Sequence, residues 1–241
     1  MSAPSSRAVA RRRRVAVLVV VLVVLGVAGW MAMRSAFLDV DHLVVSGNAR
    51  VSVEEILASS GVEQGDAMVW LDASGTASSI EAMPWIRRAD VEREWPSTVR
   101  IVVHERVPVA WLDAGEGRAL VVDRDGHGVS IDAVPPAGLP QLLDVASVPV
   151  GEAISPSGGA WLAGHLTAEQ LAIVRSIKIG RSIKVADARA TLVVTSGQEV
   201  RFGRLNQVGD KMRSAVAVLA QPSAEGRTYI DVSAPSTPVA G

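Results

Sequence analysis

Arg88–His104 reads RADVEREWPSTVRIVVH, and both of its halves alternate with period two. In the first half Ala89, Val91, Arg93 and Trp95 fall on one side, and the charged Arg88, Asp90, Glu92 and Glu94 on the other. Pro96-Ser97 interrupts the pattern. In the second half Val99, Ile101 and Val103 share a side, with Arg100 and His104 opposite. Alternation of this kind marks strands with one buried face. Two such strands around a turn predict a hairpin whose apolar side must be covered by something else in the chain.

The cover lies upstream. Leu38 to Ser46 is strand-like and ends at Gly47-Asn48, a turn dipeptide. Ser52-Val53-Glu54-Glu55 then fits a capping box, and Val51 with Ile56 a hydrophobic staple. Val53, Ile56, Leu57 and Ser60 mark one helix face, and Gly61 supplies the stop. A second helix is expected over Thr76 to Met83, with Ile80 and Met83 inward and Pro84 ending it. The order is β-α-α-β-β, with both helices packed on one face of a small sheet.

Further upstream, Val15–Met33 reads VAVLVVVLVVLGVAGWMAM and carries no charge. As a helix it would span about 28 Å at ~1.5 Å per residue, close to the ~30 Å of a bilayer's hydrocarbon core. Arg7, Arg11, Arg12, Arg13 and Arg14 precede it without any acidic residue, and Arg34 follows it. Arginines near a span stay on the cytoplasmic side. The expected arrangement is a cytoplasmic basic tail over 1–14, one transmembrane helix over 15–33, and an exported remainder. Trp30 falls where the outer interface favours an amphipathic ring. The competing reading is a cleaved signal peptide, with Arg13-Arg14 as a weak twin-arginine start, but the apolar run is longer than a signal's usual core.

All 25 acidic residues lie beyond the span, so the exported part is acidic overall. That composition argues against a nucleic-acid surface, which needs a basic patch. There is no cysteine, which removes disulfides, a thiol nucleophile and any thiolate metal site. His42, His104, His127 and His165 are scattered without metal-ligand spacing. Asp123-Arg124-Asp125-Gly126 faintly echoes a calcium loop, but the position that needs a bidentate Glu is Val134. Ser46-Gly47-Asn48 matches one element of penicillin-binding enzymes, without the S-x-x-K and K-T-G elements that go with it. No phosphate loop, nucleophile elbow or dinucleotide fingerprint occurs. The inventory points away from an enzyme, a cofactor, a metal or a small-molecule substrate.

Downstream of the hairpin the chain reads mostly as strands. Val109–Leu112 and Ala119–Val122 flank a polar turn, and Asp123–Gly126 makes another. Ala133 to Gly159, rich in proline and glycine, is expected to be a surface excursion with order only at Leu139 to Val145. A helix is expected from Thr167 to Ile177, with Thr167 and Gln170 as its cap and Leu171, Val174 and Ile177 on its face. Strands follow at 183–186, 191–195 and 199–202. A helix over 206–220 turns Val208, Met212, Val216 and Leu219 inward and leaves Arg204, Lys211 and Arg213 wet. The last strand is 228–232. Residues 233–241, with two prolines and little bulk, are expected to be disordered.

A β-α-α-β-β module directly after one apolar span resembles a POTRA domain. Val45-Ser46-Gly47-Asn48, Trp95-Pro96 and above all Glu105-Arg106-Val107-Pro108-Val109-Ala110 resemble the bacterial division protein family FtsQ/DivIB. The likeness runs from the basic tail to about Val232. It implies an α+β fold: a POTRA domain over 37–106, then a mostly antiparallel β domain with flanking helices over 107–232. It implies a scaffold at the division septum of the cell membrane that assembles with FtsB and FtsL and bears on septal peptidoglycan synthesis. In the resembled family the C-terminal edge of the β domain takes up a strand from FtsB. The matching positions here are Arg227, Thr228, Tyr229, Ile230, Asp231 and Val232, with Lys211 on the preceding helix. Tyr229 and Asp231 point to one face, Ile230 and Val232 to the other; the plainer reading is that Tyr229 and Ile230 merely pack the sheet. Two other readings stay open: an exported cell-wall enzyme, and a POTRA-containing component of outer-membrane assembly or secretion, although no barrel pattern follows.

Overall fold

The computed structural model describes residues 16–27, 38–180, 188–224 and 226–241. Residues 16–27 form helix α1, apolar throughout and exposed on every side, with Leu18 at 63% and Leu25 at 62%. No helix among the described residues is long and apolar enough to cross a membrane. The rest of the expected span, Val15 and 28–33 with Trp30, lies outside them, as does the basic tail.

Beyond the helix the chain divides into two compact units. The first takes in the described residues from 38 to Glu81 together with Arg88–His104; the second takes the described residues of Ala82–Arg87 and Glu105–Gly241. The first unit contains β1 (His42–Ser46), α2 (Val53–Ser60), α3 (Ala73–Glu81), most of β2 (Ile86–Glu94) and nearly all of β3 (Thr98–Glu105). Its sheet runs β1-β3-β2. β1 lies parallel to β3, from His42 beside Thr98 to Ser46 beside Val102. The expected inward row holds: Val99 and Ile101 are fully buried and Val103 nearly so, as are Ile56 of α2 and Ile80 of α3. The α2 cap also forms as expected. Ser52 Oγ accepts from Glu55 N at 3.2 Å, and Ser52 N donates to Glu55 Oε2 at 3.0 Å. Gly47, at φ +85°, cannot be replaced cheaply: a Cβ there would lie 2.1 Å from the Val103 carbonyl oxygen.

Several details differ from expectation: β1 begins at His42 and not at Leu38, Val53 is exposed, and α3 ends at Glu81, short of Met83. α3 starts three residues before Thr76, because Asp72 Oδ1 accepts from Ser74 N and Gly75 N and caps it. Trp95 does not continue the inward face of β2; it stands 56% exposed in the turn that follows. A mild test of the inward row is Ile101→Val. Losing one buried methylene is expected to cost about 0.5–1.5 kcal/mol, read as a lower urea midpoint for the full chain. An unchanged midpoint would show that the face is misassigned.

The second unit is built on a nine-stranded sheet in the order β12-β11-β10-β9-β8-β7-β4-β5-β6. In chain order these are β4 (Pro108–Asp113), β5 (Ala119–Asp123), β6 (Gly128–Asp132), β7 (Gln141–Leu143), β8 (Val174–Ile179), β9 (Arg189–Val194), β10 (Glu199–Arg204), β11 (Tyr229–Asp231) and β12 (Val239–Ala240). α4 (Gly158–Ala163), α5 (Ala168–Ile173) and α6 (Val208–Leu219) accompany it. Leu112, Leu120, Leu162, Ile177, Leu192, Phe202 and Ile230 are fully buried in one core cluster.

The proline- and glycine-rich excursion is more ordered than its composition suggests. β7 falls within the expected ordered stretch Leu139–Val145, and beyond it the excursion supplies the start of α4, where Gly158 and Gly159 are buried. A Cβ on Gly159 would meet Leu142 Cδ2 at 3.0 Å, so glycine is there for close packing and not for a turn. The helix expected over 167–177 stops at Ile173. Val174 and Ile177 go instead into β8, between β7 and β9, consistent with the strand preference of β-branched side chains. The strand expected at 183–186 falls outside the described residues. α6 is rotated from its expected face: Lys211, Met212 and Ala215 are buried, and Val216 is 40% exposed. The tail expected to be disordered folds back, and Val239 and Ala240 pair with Asp231 and Ile230.

Candidate partner-binding edge at the C-terminal end of the sheet

β11 follows a 3-10 turn (Pro222–Ala224) and lies parallel to β10, with Tyr229 beside Glu199 and Ile230 beside Val200. Its side chains alternate as expected. Ile230 and Val232 are fully buried in the core, while Tyr229 and Asp231 are half-buried on the other face. The Arg201 guanidinium sits 3.7 Å from the centre of the Tyr229 ring, a cation–π contact that holds the ring down on the sheet. Arg227 and Thr228 are exposed.

The expectation that this strand forms the edge is corrected. β11 is already paired on both sides, with β10 and with β12. Gly241 closes the pairing: Tyr229 N donates to its carbonyl at 3.0 Å, and Gly241 N donates to Tyr229 O at 3.0 Å. The tail is also pinned from α6, where Ser214 Oγ donates to Pro235 O at 2.7 Å. A short apolar dipeptide after a proline carries too little pattern to announce a strand, so sequence reading missed Val239 and Ala240. It missed Arg201 because one charged position on an alternating strand looks like any solvated face.

Lys211 is not a surface cation. It is 1% exposed, and its Nζ donates to Arg204 O at 2.8 Å and Asn206 Oδ1 at 2.9 Å. Phe202 lies beneath it, 5.3 Å from Nζ to the ring centre. Burial pushes its ammonium pKa down, with Asp231 opposing. A glutamate there would set a carboxylate against two acceptor oxygens, so Lys211→Glu acts on folding before it acts on a partner.

Asp231 accepts from Ser233 Oγ at 2.6 Å and Ser233 N at 2.9 Å. Those bonds, reinforced by Arg201 and Lys211, hold its carboxyl below the usual range. A carboxyl depressed in the folded state adds stability above its unfolded pKa, and that contribution is lost as pH falls through the folded value. Acid unfolding below pH ~4 should therefore be less steep for Asp231→Asn than for the parent chain. Superimposable melting-temperature profiles between neutral pH and pH ~3 would contradict this assignment.

Residues 38–106 match the family model described as POTRA domain, FtsQ-type. The cell division protein FtsQ of Mycobacterium tuberculosis is 31% identical over 98% of this chain and 71% of its own length. The chain belongs to the FtsQ family. FtsQ of Corynebacterium glutamicum is 26% identical, with 92% of this chain and 94% of that protein aligned. FtsQ of Streptomyces venezuelae is 29% identical, with 92% and 82% aligned. These alignments extend well past the POTRA segment into the second unit, and they make cell division the role of the protein. The extracytoplasmic domain of DivIB from Geobacillus stearothermophilus gives a TM-score of 0.35 at 17% identity, over 50% of this chain and 97% of that one. That likeness is too low to carry the assignment, which rests on the sequence relatives.

The FtsQ-like segment Glu105–Ala110 has a structural task within the second unit. Arg106 Nη1 donates to Asp123 Oδ2 at 2.7 Å, with the two side chains only 13% and 2% exposed. The other Asp123 oxygen accepts from Asp125 N and His127 N, both at 2.9 Å. Arg106 thus fastens the start of β4 to the β5–β6 turn. The Asp123–Gly126 turn is organised by the buried Arg106; no cluster of metal-ligating side chains occurs among the described residues.

Proposed function

We propose that this FtsQ-family protein is a non-catalytic scaffold, anchored by one membrane span, that captures an FtsB- and FtsL-type pair at the division septum and couples it to septal peptidoglycan synthesis. Capture is by strand addition at β12. The observation that carries this reading is the direction of one peptide group. Tyr229 and Gly241 exchange both backbone hydrogen bonds. Pairs in an antiparallel ladder alternate, so the next pair, Ile230 and Ala240, is the non-bonded kind. The N–H and C=O of Ala240 therefore point away from β11, toward the open edge. A partner strand that meets them extends the sheet by main-chain bonds, with side chains such as Val239, 57% exposed, supplying selection.

The anchor is supported by the uncharged run Val15–Met33 and by the exposure of the apolar side chains on every side of 16–27. Arginine placement supports a cytoplasmic N-terminus and an exported bulk. Two measurements test the proposal in cells. A fluorescent fusion should form midcell bands, and depletion should give filaments with unfinished septa. Uniform membrane fluorescence with normal division on depletion would refute it.

A further inference from the structure

Two strongly exposed tryptophans among the described residues of the first unit lie at the end of the sheet where the chain arrives from the apolar run. Trp70 is 77% exposed and Trp95 56%. β1 begins beside the turn that carries Trp95: Asp41 N and His42 N both donate to Ser97 O, at 2.8 and 3.1 Å. The loop that carries Trp70 is strapped to the residues just before β1. Met68 N donates to Leu38 O at 2.9 Å, Val40 N to Asp66 O at 2.8 Å and Gly65 N to Val40 O at 2.9 Å, and Asp39 bridges Ala67. Trp70 N in turn donates to Ala67 O at 3.0 Å. Only five peptide steps separate Met33 from Leu38, a reach of at most about 18 Å.

We propose that Trp70 and Trp95 form a membrane-facing foot that seats the POTRA unit on the outer leaflet of the bilayer from which it hangs. The inference rests on the membrane anchor proposed above. Tryptophan favours the headgroup level, where its ring is buried and its N–H stays wet. Neither ring packs a core here, so each offers its apolar surface at no cost to the fold. Tethering raises the local concentration of the bilayer around the foot, so two weak insertions suffice. Charge sets the kind of contact. Asp39, Asp41, Glu63, Asp66 and Asp72 sit on the same loops, Arg93 is turned to the Met68 carbonyl at 3.4 Å, and Arg100 is paired with Glu94. With no basic patch there among the described residues, attachment to a neutral bilayer is by the aromatic rings, requires no anionic lipid and is insensitive to salt.

The full chain in phosphatidylcholine vesicles, with and without bromine on the acyl chains close to the headgroup, tests this by tryptophan quenching. Trp30, inside the proposed span, reports the anchor, so two variants separate the claims. Trp30→Phe keeps the foot; Trp70→Phe with Trp95→Phe keeps the anchor reporter. The proposal expects brominated lipid to quench both variants, with quenching of Trp30→Phe unchanged by salt. Combining all three substitutions should abolish most of the lipid-dependent quenching. Phenylalanine at two exposed sites leaves the fold intact, which circular dichroism checks. If the double variant is quenched and Trp30→Phe is not, the anchor stands and the foot is overturned. If the double variant is not quenched, the anchor reading fails and takes the foot with it.

Discussion

Asp123→Ala is expected to destabilise the second unit by about 3–5 kcal/mol, the usual cost of stripping one partner from a buried ion pair. The side chain is 2% exposed and satisfies three donors: Arg106 Nη1, Asp125 N and His127 N. Alanine leaves the guanidinium charged with little water to reach it, and it frees two backbone N–H groups in the β5–β6 turn. Asp123→Asn keeps an acceptor for the turn and loses only the charge, so its cost should be smaller. Urea unfolding of the full chain, followed by circular dichroism, gives both values. If the alanine variant unfolds at the parent midpoint, Arg106 and Asp123 do not hold β4 to the turn as described.

Ala240→Pro should weaken the proposed capture of an FtsB- and FtsL-type pair roughly tenfold to a hundredfold, while the fold remains. The substitution removes the one outward N–H that the proposed strand addition uses, and edge positions of this sort accept proline. Leaving the partner's carbonyl unsatisfied in the joint costs about 1–3 kcal/mol, which sets the range of the affinity loss. The bonded pairs that hold β12 to β11, Tyr229 with Gly241 and Asp231 with Val239, do not use the Ala240 N–H and are untouched. Ile230→Pro is a poorer probe, since Ile230 is fully buried on a strand already paired on both sides. Titration of the full chain in detergent against the pair decides the matter. Parent affinity in a folded Ala240→Pro variant would place the contact elsewhere.

Much of the first unit was legible in the sequence because its signals are local. The period-two row Val99, Ile101 and Val103, the Ser52 and Glu55 cap and the Gly47 turn each depend on a few neighbouring residues. The second unit was harder to read for the opposite reason. Val174 and Ile177 sit at spacings that suit a helix face, and only pairing with β7 and β9 makes them a strand. Gly158-Gly159 looks like a turn until Leu142 is packed against it. Lys211 reads as solvated, yet Arg204, Asn206 and Phe202 gather around its side chain. At the C-terminal edge the alternation of Tyr229, Ile230, Asp231 and Val232 was readable. What covers β11 was not, because two residues of strand have no period.

The most direct test of the account is amide hydrogen exchange of the full chain with and without the FtsB and FtsL pair. Binding should slow exchange at Ala240, the outward donor of β12, and leave Ile230, already in the interior of the sheet, nearly unchanged. Unaltered exchange at Ala240 under saturating partner would contradict strand addition at this edge.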